Sequence, residues 1–195
     1  MIYWIAHGLI CIFSKIIAPV TVFGKENFPP DKGVIIASNH LSNLDPVILG
    51  LASGRKLSYV AKESLFRNKL FSFLLYRVGA FPIRRDYGDV GAIKEALRRL
   101  KKRGRIVVFP EGTRKSQSGP KKVQPGVGLL AVKGDAVIVP AYIRGSDKVM
   151  APGSNIIKPG RITVTFGTPL PYIREDSYLK IAEKVMQSIH SLSVA

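Results

Sequence analysis

One stretch, residues 34–49, restricts the possible folds of this chain more than any other. Val34–Ala37 is a short apolar run that is typical of a buried strand. The polar turn Ser38–Leu44 follows it, and Asp45-Pro46 then predicts the start of a helix, with Asp45 as the N-cap. A strand, a polar turn and a helix in direct succession indicate an α/β sheet protein, in which reactive side chains lie at the carboxyl ends of strands.

Similar apolar runs and helical patterns alternate along the rest of the chain. Pro82 interrupts one of the runs, so we expect that strand to lie at the edge of the sheet or to be broken. We therefore predict an α/β fold, a single-domain sandwich with a central, mostly parallel or mixed sheet flanked by helices, plus an apolar N-terminal helix. The predicted strands are residues 19–23, 34–37, 57–61, 81–83, 105–108, 136–143 and 161–166, and the predicted helices are 46–52, 64–78, 90–100, 126–133 and 178–192.

Residues 1–22 are the most apolar part of the chain, and three interpretations of them remain open. We favour a helix that lies in the membrane interface, because its few polar residues fall on one narrow face. A helix buried in the core is the second interpretation. A membrane span is the third and least favoured interpretation. A span needs about 20 apolar residues, and Lys15 and Pro19 interrupt this run. We accordingly divide the chain into an N-terminal membrane-interface helix, 1–22, and a main domain, 23–195.

The chain is strongly basic, with 30 Lys and Arg against 13 Asp and Glu and a formal net charge of +17. This balance predicts an anionic partner, which is a nucleic acid, an anionic lipid or a phosphorylated substrate. No zinc pattern, RNA-binding aromatic motif or basic arm is present, so we expect no nucleic acid. The single cysteine, Cys11, excludes an internal disulfide, and the wide sequence spacing of His7, His40 and His190 predicts no metal site.

Two polar stretches follow predicted strands and carry the candidate chemistry. His40 and Asp45 follow the strand at Val34–Ala37; an imidazole titrates near neutral pH, and a carboxylate can fix its tautomer. Taken alone, Asp45 is explained as a helix cap and His40 as a loop residue. The stretch Phe109–Arg114 follows another strand, Arg105–Val108, and this second dense polar turn favours a catalytic site.

These motifs resemble those of the glycerolipid acyltransferase family. The resemblance is carried by Asn39-His40 with Asp45 and by Phe109–Arg114, which together are highly specific. Gly79–Arg85 and Val137–Tyr142 resemble the second and fourth blocks of the family, and all four occur in the family's order. The resemblance implies the same α/β fold, and it implies that residues 23–195 form an acyltransferase domain.

The resemblance also implies the reaction. An acyl group would pass from an acyl thioester, acyl-CoA or acyl-carrier-protein, to the free hydroxyl of 1-acyl-glycerol 3-phosphate, giving phosphatidate without a further cofactor. His40 would act as the general base and Asp45 would accept from its other ring nitrogen. Another acceptor, such as glycerol 3-phosphate or another lysolipid, remains open, and so does nucleic-acid binding as an alternative of a different class. A Ser42 acyl-enzyme is less favoured, because serine in such a turn commonly bonds local backbone.

The acceptor phosphate needs positive side chains, and the planar fork of arginine matches phosphate oxygens. The resemblance implies phosphate binding by Arg114 and by one of Arg84 and Arg85, and acceptor binding by Glu111. A salt bridge explains Glu111 equally well, and a solvated surface position explains each basic residue taken alone. Backbone N–H groups near Gly112 or Val139 are candidate oxyanion donors. The predicted substrate-binding residues are Lys62, Arg84, Arg85, Glu111, Gly112, Thr113 and Arg114.

A lipid acceptor also predicts where the protein works. We expect a membrane-associated protein with its active site on the cytoplasmic side and an anionic membrane surface as its partner. The predicted helix at residues 64–78 is strongly apolar, with Phe66, Phe71, Phe73, Leu74 and Leu75. Core packing explains this composition, and contact with an acyl chain or with the bilayer is the alternative.

Overall fold

Seven strands form one mixed β-sheet in the computed structural model, in the order β1-β7-β6-β2-β5-β3-β4. The structure describes residues 17–83, 89–112, 123–154, 156–171 and 176–193. The five strands β2 to β6 are mutually parallel, whereas β7 is antiparallel to β6, and β1 is parallel to β7. The strands are β1 Val20–Phe23, β2 Val34–Ser38, β3 Ser58–Lys62, β4 Ala80–Ile83, β5 Arg105–Val108, β6 Val137–Arg144 and β7 Ile162–Phe166. The predicted mixed α/β sheet is confirmed.

Helices cover both faces of this sheet. Six α-helices lie in the described ranges: α1 Asp45–Ser53, α2 Lys69–Arg77, α3 Val90–Lys101, α4 Gly126–Gly134, α5 Ser146–Val149 and α6 Tyr178–Ser191. Two short 3-10 helices, Lys25–Asn27 and Glu63–Phe66, precede β2 and α2. The bounds of α1, α3, α4 and α6 agree with the predicted helices within a few residues, whereas α5 was not predicted and residues 64–78 differ from the prediction.

The alternation of side chains along β2 divides the interior into two cores. Ile35 and Ala37 belong to the first core, in which α3, α4 and α6 pack on one face of the sheet. Val34 and Ile36 belong to the second core, together with residues of α1 and α5. All five residues of β2 are buried, which is why its sequence is almost continuously apolar. Each fully buried isoleucine contributes about 1.5–3 kcal/mol relative to an exposed one.

The single helix predicted over residues 64–78 is wrong, because the chain forms two helical segments there. The 3-10 helix ends at Phe66 and α2 begins at Lys69. Asn68 lies directly before α2, and its carbonyl oxygen accepts from the Ser72 N–H at 2.8 Å. Asparagine is among the residues most favoured directly before a helix, so it begins a new helix instead of continuing the previous one.

The two edge strands of the sheet, β4 and β1, both lie where strands were predicted from the sequence. Pro82 lies on β4, the last strand of the order, which confirms the predicted edge position. At the other end, β1 pairs with β7 and Ala18 is buried in the second core, so residues 18–22 belong to the sheet domain. The predicted membrane-interface helix falls mainly on residues 1–16, outside the described residues, and stays a prediction. In the part of the chain that is described, no helix has the length and apolar character to cross a bilayer.

Candidate active site

The loop between β2 and α1 brings His40 and Asp45 together. The Nδ1 atom of His40 lies 2.8 Å from Oδ2 of Asp45. The Asp45 side chain is fully buried, and 10% of the His40 side chain is exposed. With Asp45 ionised, Nδ1 carries the proton that it donates, so Nε2 is the ring nitrogen that can accept a proton. The pair therefore has the geometry of a general base and its orienting carboxylate.

Asp45 does not cap α1, and that part of the prediction is wrong. The N-cap residue of α1 is Leu44, and no side-chain hydrogen bond caps this helix. The carboxylate turns back into the loop, where Oδ2 also accepts from the N–H groups of Leu41 at 2.6 Å and Ser42 at 2.8 Å. Three donors thus converge on one oxygen, which fixes the carboxylate and, through it, the imidazole.

Asn39 ties this loop to β6. Its amide Nδ2 donates to the carbonyl oxygen of Ile143 at 2.9 Å, and its Oδ1 accepts from the N–H of Ile143 at 2.8 Å. The side chain is buried, so it satisfies two backbone groups that have no access to water. From the sequence, Asn39 was treated only as part of a motif; the signal that was available is its position directly after a strand whose apolar sequence predicts burial.

Ser42 holds the same loop from its other side. Its Oγ donates to the carbonyl oxygen of Met150 at 2.7 Å and accepts from the N–H of Leu44 at 3.2 Å. The backbone-bonding role expected for this serine is confirmed. Because its proton is committed to a carbonyl oxygen and the side chain is fully buried, the geometry does not favour Ser42 as a nucleophile.

We expect Asn39→Ala to lower the free energy of unfolding by about 2 kcal/mol, because it leaves the Ile143 N–H and carbonyl groups buried without a partner. For a chain of this size that is a decrease in Tm of about 4–8 °C, and kcat should fall because His40 loses its support. Thermal unfolding followed by circular dichroism checks the first effect. Asn43→Ala is the matched control, since Asn43 is exposed in the same loop. Equal Tm values for the two variants would contradict the role of Asn39.

The second motif contributes a ring that stacks on His40. Phe109 follows β5, which pairs with β2 through Ala37 and Val108. The ring centroids of Phe109 and His40 are 3.8 Å apart, and the ring planes differ by 12°. The imidazole is therefore held by Asp45 at one ring nitrogen and by Phe109 on one face. Sequence reasoning missed this contact, because it depends on β2 and β5 being neighbours.

The turn after Phe109 is built around Gly112. This glycine has φ 75°, a left-handed conformation that L side chains rarely adopt. Its N–H donates to the carbonyl oxygen of Phe109 at 2.9 Å. That N–H is therefore committed to the turn, and Val139 lies inside the sheet opposite Ile36. Neither of these two backbone N–H groups is favoured as an oxyanion donor.

Two of the other predicted site residues, Lys62 and Glu111, lie at one edge of the sheet, which we call the carboxyl edge and define by the carboxyl ends of β2, β3, β4, β5 and β6. Lys62 is the last residue of β3 and is exposed there. Glu111 is half-buried in the turn after β5. The remaining four, Arg84, Arg85, Thr113 and Arg114, lie outside the described residues, so their roles stay predictions.

A cleft of about 410 Å³ opens beside β4. Arg99 lies in its wall, where the guanidinium donates to Ser58 Oγ and to the Gly79 carbonyl oxygen and lies 4.6 Å from the Phe81 ring centroid. Hydrogen bonds from Arg98 and Arg99 lower the pKa of Glu95 to about 2. The described lining also carries the carboxylates of Glu63 and Asp89. Of the described lining residues, Arg99 and Glu95 are thus committed to each other and to their neighbours.

Comparison with known proteins decides the family. A family model described as "Acyltransferase" matches residues 19–144, which include both motifs and six of the seven strands. The chain belongs to the acyltransferase family.

Several named relatives of this acyltransferase support the assignment. The "1-acyl-sn-glycerol-3-phosphate acyltransferase" of Bacillus subtilis (strain 168) is 34% identical over 152 residues, which cover 77% of this chain and 73% of that protein. A protein of the same name from Streptococcus pneumoniae is 31% identical over 142 residues, which cover 72% of this chain and 51% of that protein. The acyltransferase described here thus spans about half the length of the second relative.

A solved structure shares the fold of this acyltransferase. The crystal structure of the 1-acyl-sn-glycerophosphate (LPA) acyltransferase PlsC from Thermotoga maritima superimposes with a TM-score of 0.73 at 26% identity. The match covers 91% of this chain and 73% of that one. The likeness therefore extends over most of this chain.

Proposed function

We propose that this acyltransferase transfers a fatty acyl group from an acyl thioester to the free hydroxyl of 1-acyl-glycerol 3-phosphate, giving phosphatidate for phospholipid synthesis. The observation that carries the proposal is the His40–Asp45 pair at the carboxyl edge, with 2.8 Å between Nδ1 and Oδ2. The names of the relatives support the choice of acceptor. Acyl-CoA and acyl-carrier-protein are both retained as donors.

The reaction needs a base at the moment of attack, because an alcohol is a poor nucleophile. Nε2 of His40 takes the hydroxyl proton while the alcohol oxygen bonds to the thioester carbonyl carbon. The C–S bond then breaks, and the thiolate leaves easily because its thiol has a pKa of about 8.5. The imidazolium returns the proton to the sulfur. Asp45 stabilises the imidazolium during these steps, so no further cofactor or metal is proposed.

The acceptor phosphate fixes the position of the hydroxyl. We assign phosphate binding to Arg114 and to Arg84 or Arg85, with Lys62 as a further contact. The neighbouring residues Glu111, Gly112 and Thr113 are assigned to binding of the rest of the acceptor. The exposed position of Lys62 at the carboxyl edge supports the part of this assignment that concerns Lys62. Glycerol 3-phosphate or another lysolipid is the alternative acceptor. We also propose that the protein is membrane-associated, with its site on the cytoplasmic side.

We expect Arg114→Ala to raise the KM for the acceptor about 10- to 150-fold, because a lost charge-assisted contact costs about 1.5–3 kcal/mol. The KM for the donor should stay nearly unchanged. Steady-state kinetics with each substrate varied in turn measures both. Lys101→Ala is the control, since it removes an exposed charge from α3 at the amino ends of the parallel strands. A large change in donor KM would place Arg114 in the carrier site.

One assay tests the proposed function itself. The purified full chain is mixed with lysophosphatidate and a panel of acyl-CoA and acyl-carrier-protein donors, and thiol release and phosphatidate are both measured. Product formation with lysophosphatidate supports the proposal. Turnover restricted to glycerol 3-phosphate or another lysolipid would replace the acceptor. Salt-sensitive RNA binding without turnover would favour the nucleic-acid alternative.

A further inference from the structure

Helix α2 carries an apolar surface that the described part of the chain leaves exposed. Its residues Leu70, Phe73 and Tyr76 are 80%, 51% and 55% exposed, and Leu65 of the preceding 3-10 helix is 45% exposed. The described side chains of α2 belong to neither core. Contiguous exposed apolar side chains mark interaction surfaces in soluble folds. We call Leu65, Leu70, Phe73 and Tyr76 the docking face.

Aromatic contacts hold the docking face together. The rings of Phe66 and Tyr76 have centroids 5.1 Å apart, so the 3-10 helix and α2 share one surface. The guanidinium of Arg77 lies 4.7 Å from the centroid of the Phe73 ring. A cation that rests on an aromatic ring can keep its charge at the level of lipid headgroups while the ring enters the apolar layer.

The charges around the docking face select the kind of partner. Four exposed basic residues, Lys62, Arg67, Lys69 and Arg77, lie in residues 62–78, and Glu63 is the single acidic residue of that range. Helices that lie in the interface of an anionic bilayer typically carry apolar and aromatic side chains with lysine and arginine around them. The rim disfavours a second copy of this chain, whose matching face would carry the same positive charges.

The position of the docking face relates it to the catalytic pair. β3 ends at Lys62, and the 3-10 helix Glu63–Phe66 follows at once, so the docking face begins at the carboxyl edge. β3 pairs with β5, and Phe109, which stacks on His40, directly follows β5. A bilayer that contacts this face therefore lies beside the edge that holds His40 and Asp45.

We propose that the docking face inserts into the interface of an anionic lipid bilayer and presents the carboxyl edge to acceptor molecules in that bilayer. The inference that the docking face binds a bilayer rests on the exposure of its apolar side chains and on the basic residues around them. Its use in delivering the acceptor rests on the proposed function.

Vesicle partitioning of the full chain tests the binding. Vesicles of equal parts phosphatidylglycerol and phosphatidylcholine are compared with phosphatidylcholine alone, and the partition coefficient is measured by co-sedimentation. Leu70→Ser with Phe73→Ser should lower it about tenfold or more, because two exposed apolar side chains no longer enter the interface. Phe23→Ser with Leu179→Ser is the matched control, since both residues are exposed elsewhere, on β1 and α6. The control should stay within about twofold of the unmodified protein.

A second pair of variants tests the basic rim. Lys69→Gln with Arg77→Gln should weaken binding to the anionic vesicles by up to about thirtyfold, since each basic residue near such a surface is worth about 1 kcal/mol. Binding to phosphatidylcholine alone should change little, and about 1 M salt should remove the difference. Lys101→Gln with Lys102→Gln is the control at the other end of the parallel strands.

Three outcomes overturn the proposal. The first is an unchanged partition coefficient for the Leu70 and Phe73 variant, which would leave the membrane contact to another segment. The second is an equal loss in the Phe23 and Leu179 control. The third is loss of a dimer by the Leu70 and Phe73 variant, seen by sedimentation velocity, with lipid binding intact.

Turnover separates this proposal from the proposed function. The Leu70 and Phe73 variant should lose more activity toward acceptor in vesicles than toward a dispersed short-chain acceptor. If the unmodified protein shows no turnover of either acceptor, the proposed function fails while the partitioning result still stands. If partitioning falls but both activities fall equally, the docking face does not deliver acceptor, and that part of the proposal is wrong.

Discussion

His40→Ala should lower kcat by about 10²- to 10⁴-fold, the range typical for loss of a general base. The imidazole is the group of the pair that can take the hydroxyl proton, because its Nδ1 is committed to Asp45 at 2.8 Å and Nε2 is not. The substitution should leave the protein folded, since Asp45 keeps its hydrogen bonds from the N–H groups of Leu41 and Ser42. Thiol release and circular dichroism measure the two effects.

His190→Ala is the matched control for that experiment, because this histidine is exposed on α6. It should retain full activity and the same Tm. Near-normal turnover by folded His40→Ala would contradict the general-base mechanism for this protein, whatever mechanism its relatives use.

Asp45→Asn should lower kcat by about 10²-fold or more, up to about 10⁴-fold. An amide has a similar shape but no charge, so it cannot stabilise the imidazolium. In the alternative amide orientation, its NH₂ group faces Nδ1 and forces the proton onto Nε2, which removes the base. The first orientation is favoured, because an NH₂ group at the Oδ2 position would face the N–H groups of Leu41 and Ser42, whereas Oδ1 is buried without a hydrogen-bond partner in the described part of the chain.

Asp45→Ala separates chemistry from stability. It removes the acceptor of the Leu41 and Ser42 N–H groups, so the free energy of unfolding should fall by about 1–3 kcal/mol for each donor left without a partner. Asp45→Asn keeps an oxygen there and should lose less stability than activity. Parallel losses of stability and activity in both variants would make Asp45 a structural residue only.

The architecture was predictable where local patterns determine it. The buried strands β2 and β5 follow from apolar runs, and the edge position of β4 follows from Pro82. His40 and Asp45 were predictable as neighbours because one short loop joins them. The break before α2 was not predicted, because the apolar pattern of residues 64–78 continues through it and only Asn68 indicates a new start.

Contacts between distant parts of the chain were not predictable. Asn39 and Ile143 are 104 residues apart, and their pairing requires β6 to lie next to β2. The stack of Phe109 on His40 requires β5 to lie on the other side of β2. Neither neighbour of β2 follows it in sequence, so no local pattern specifies the order. The orientation of Asp45 was also missed, since the same Asp-Pro pair fits a helix cap.

The tether between Asn39 and Ile143 has a consequence for synthesis of the protein. A ribosome that has translated the chain as far as the turn after β5 has already made His40, Asp45 and Phe109, but it has not yet made β6, the strand that anchors the loop of His40 and Asp45. Contacts between residues so far apart form late in folding, because a long loop must close first. The nascent chain therefore contains both residues of the catalytic pair well before their loop is fixed in position. Catalytic competence begins only when β6 has emerged and packed beside β2.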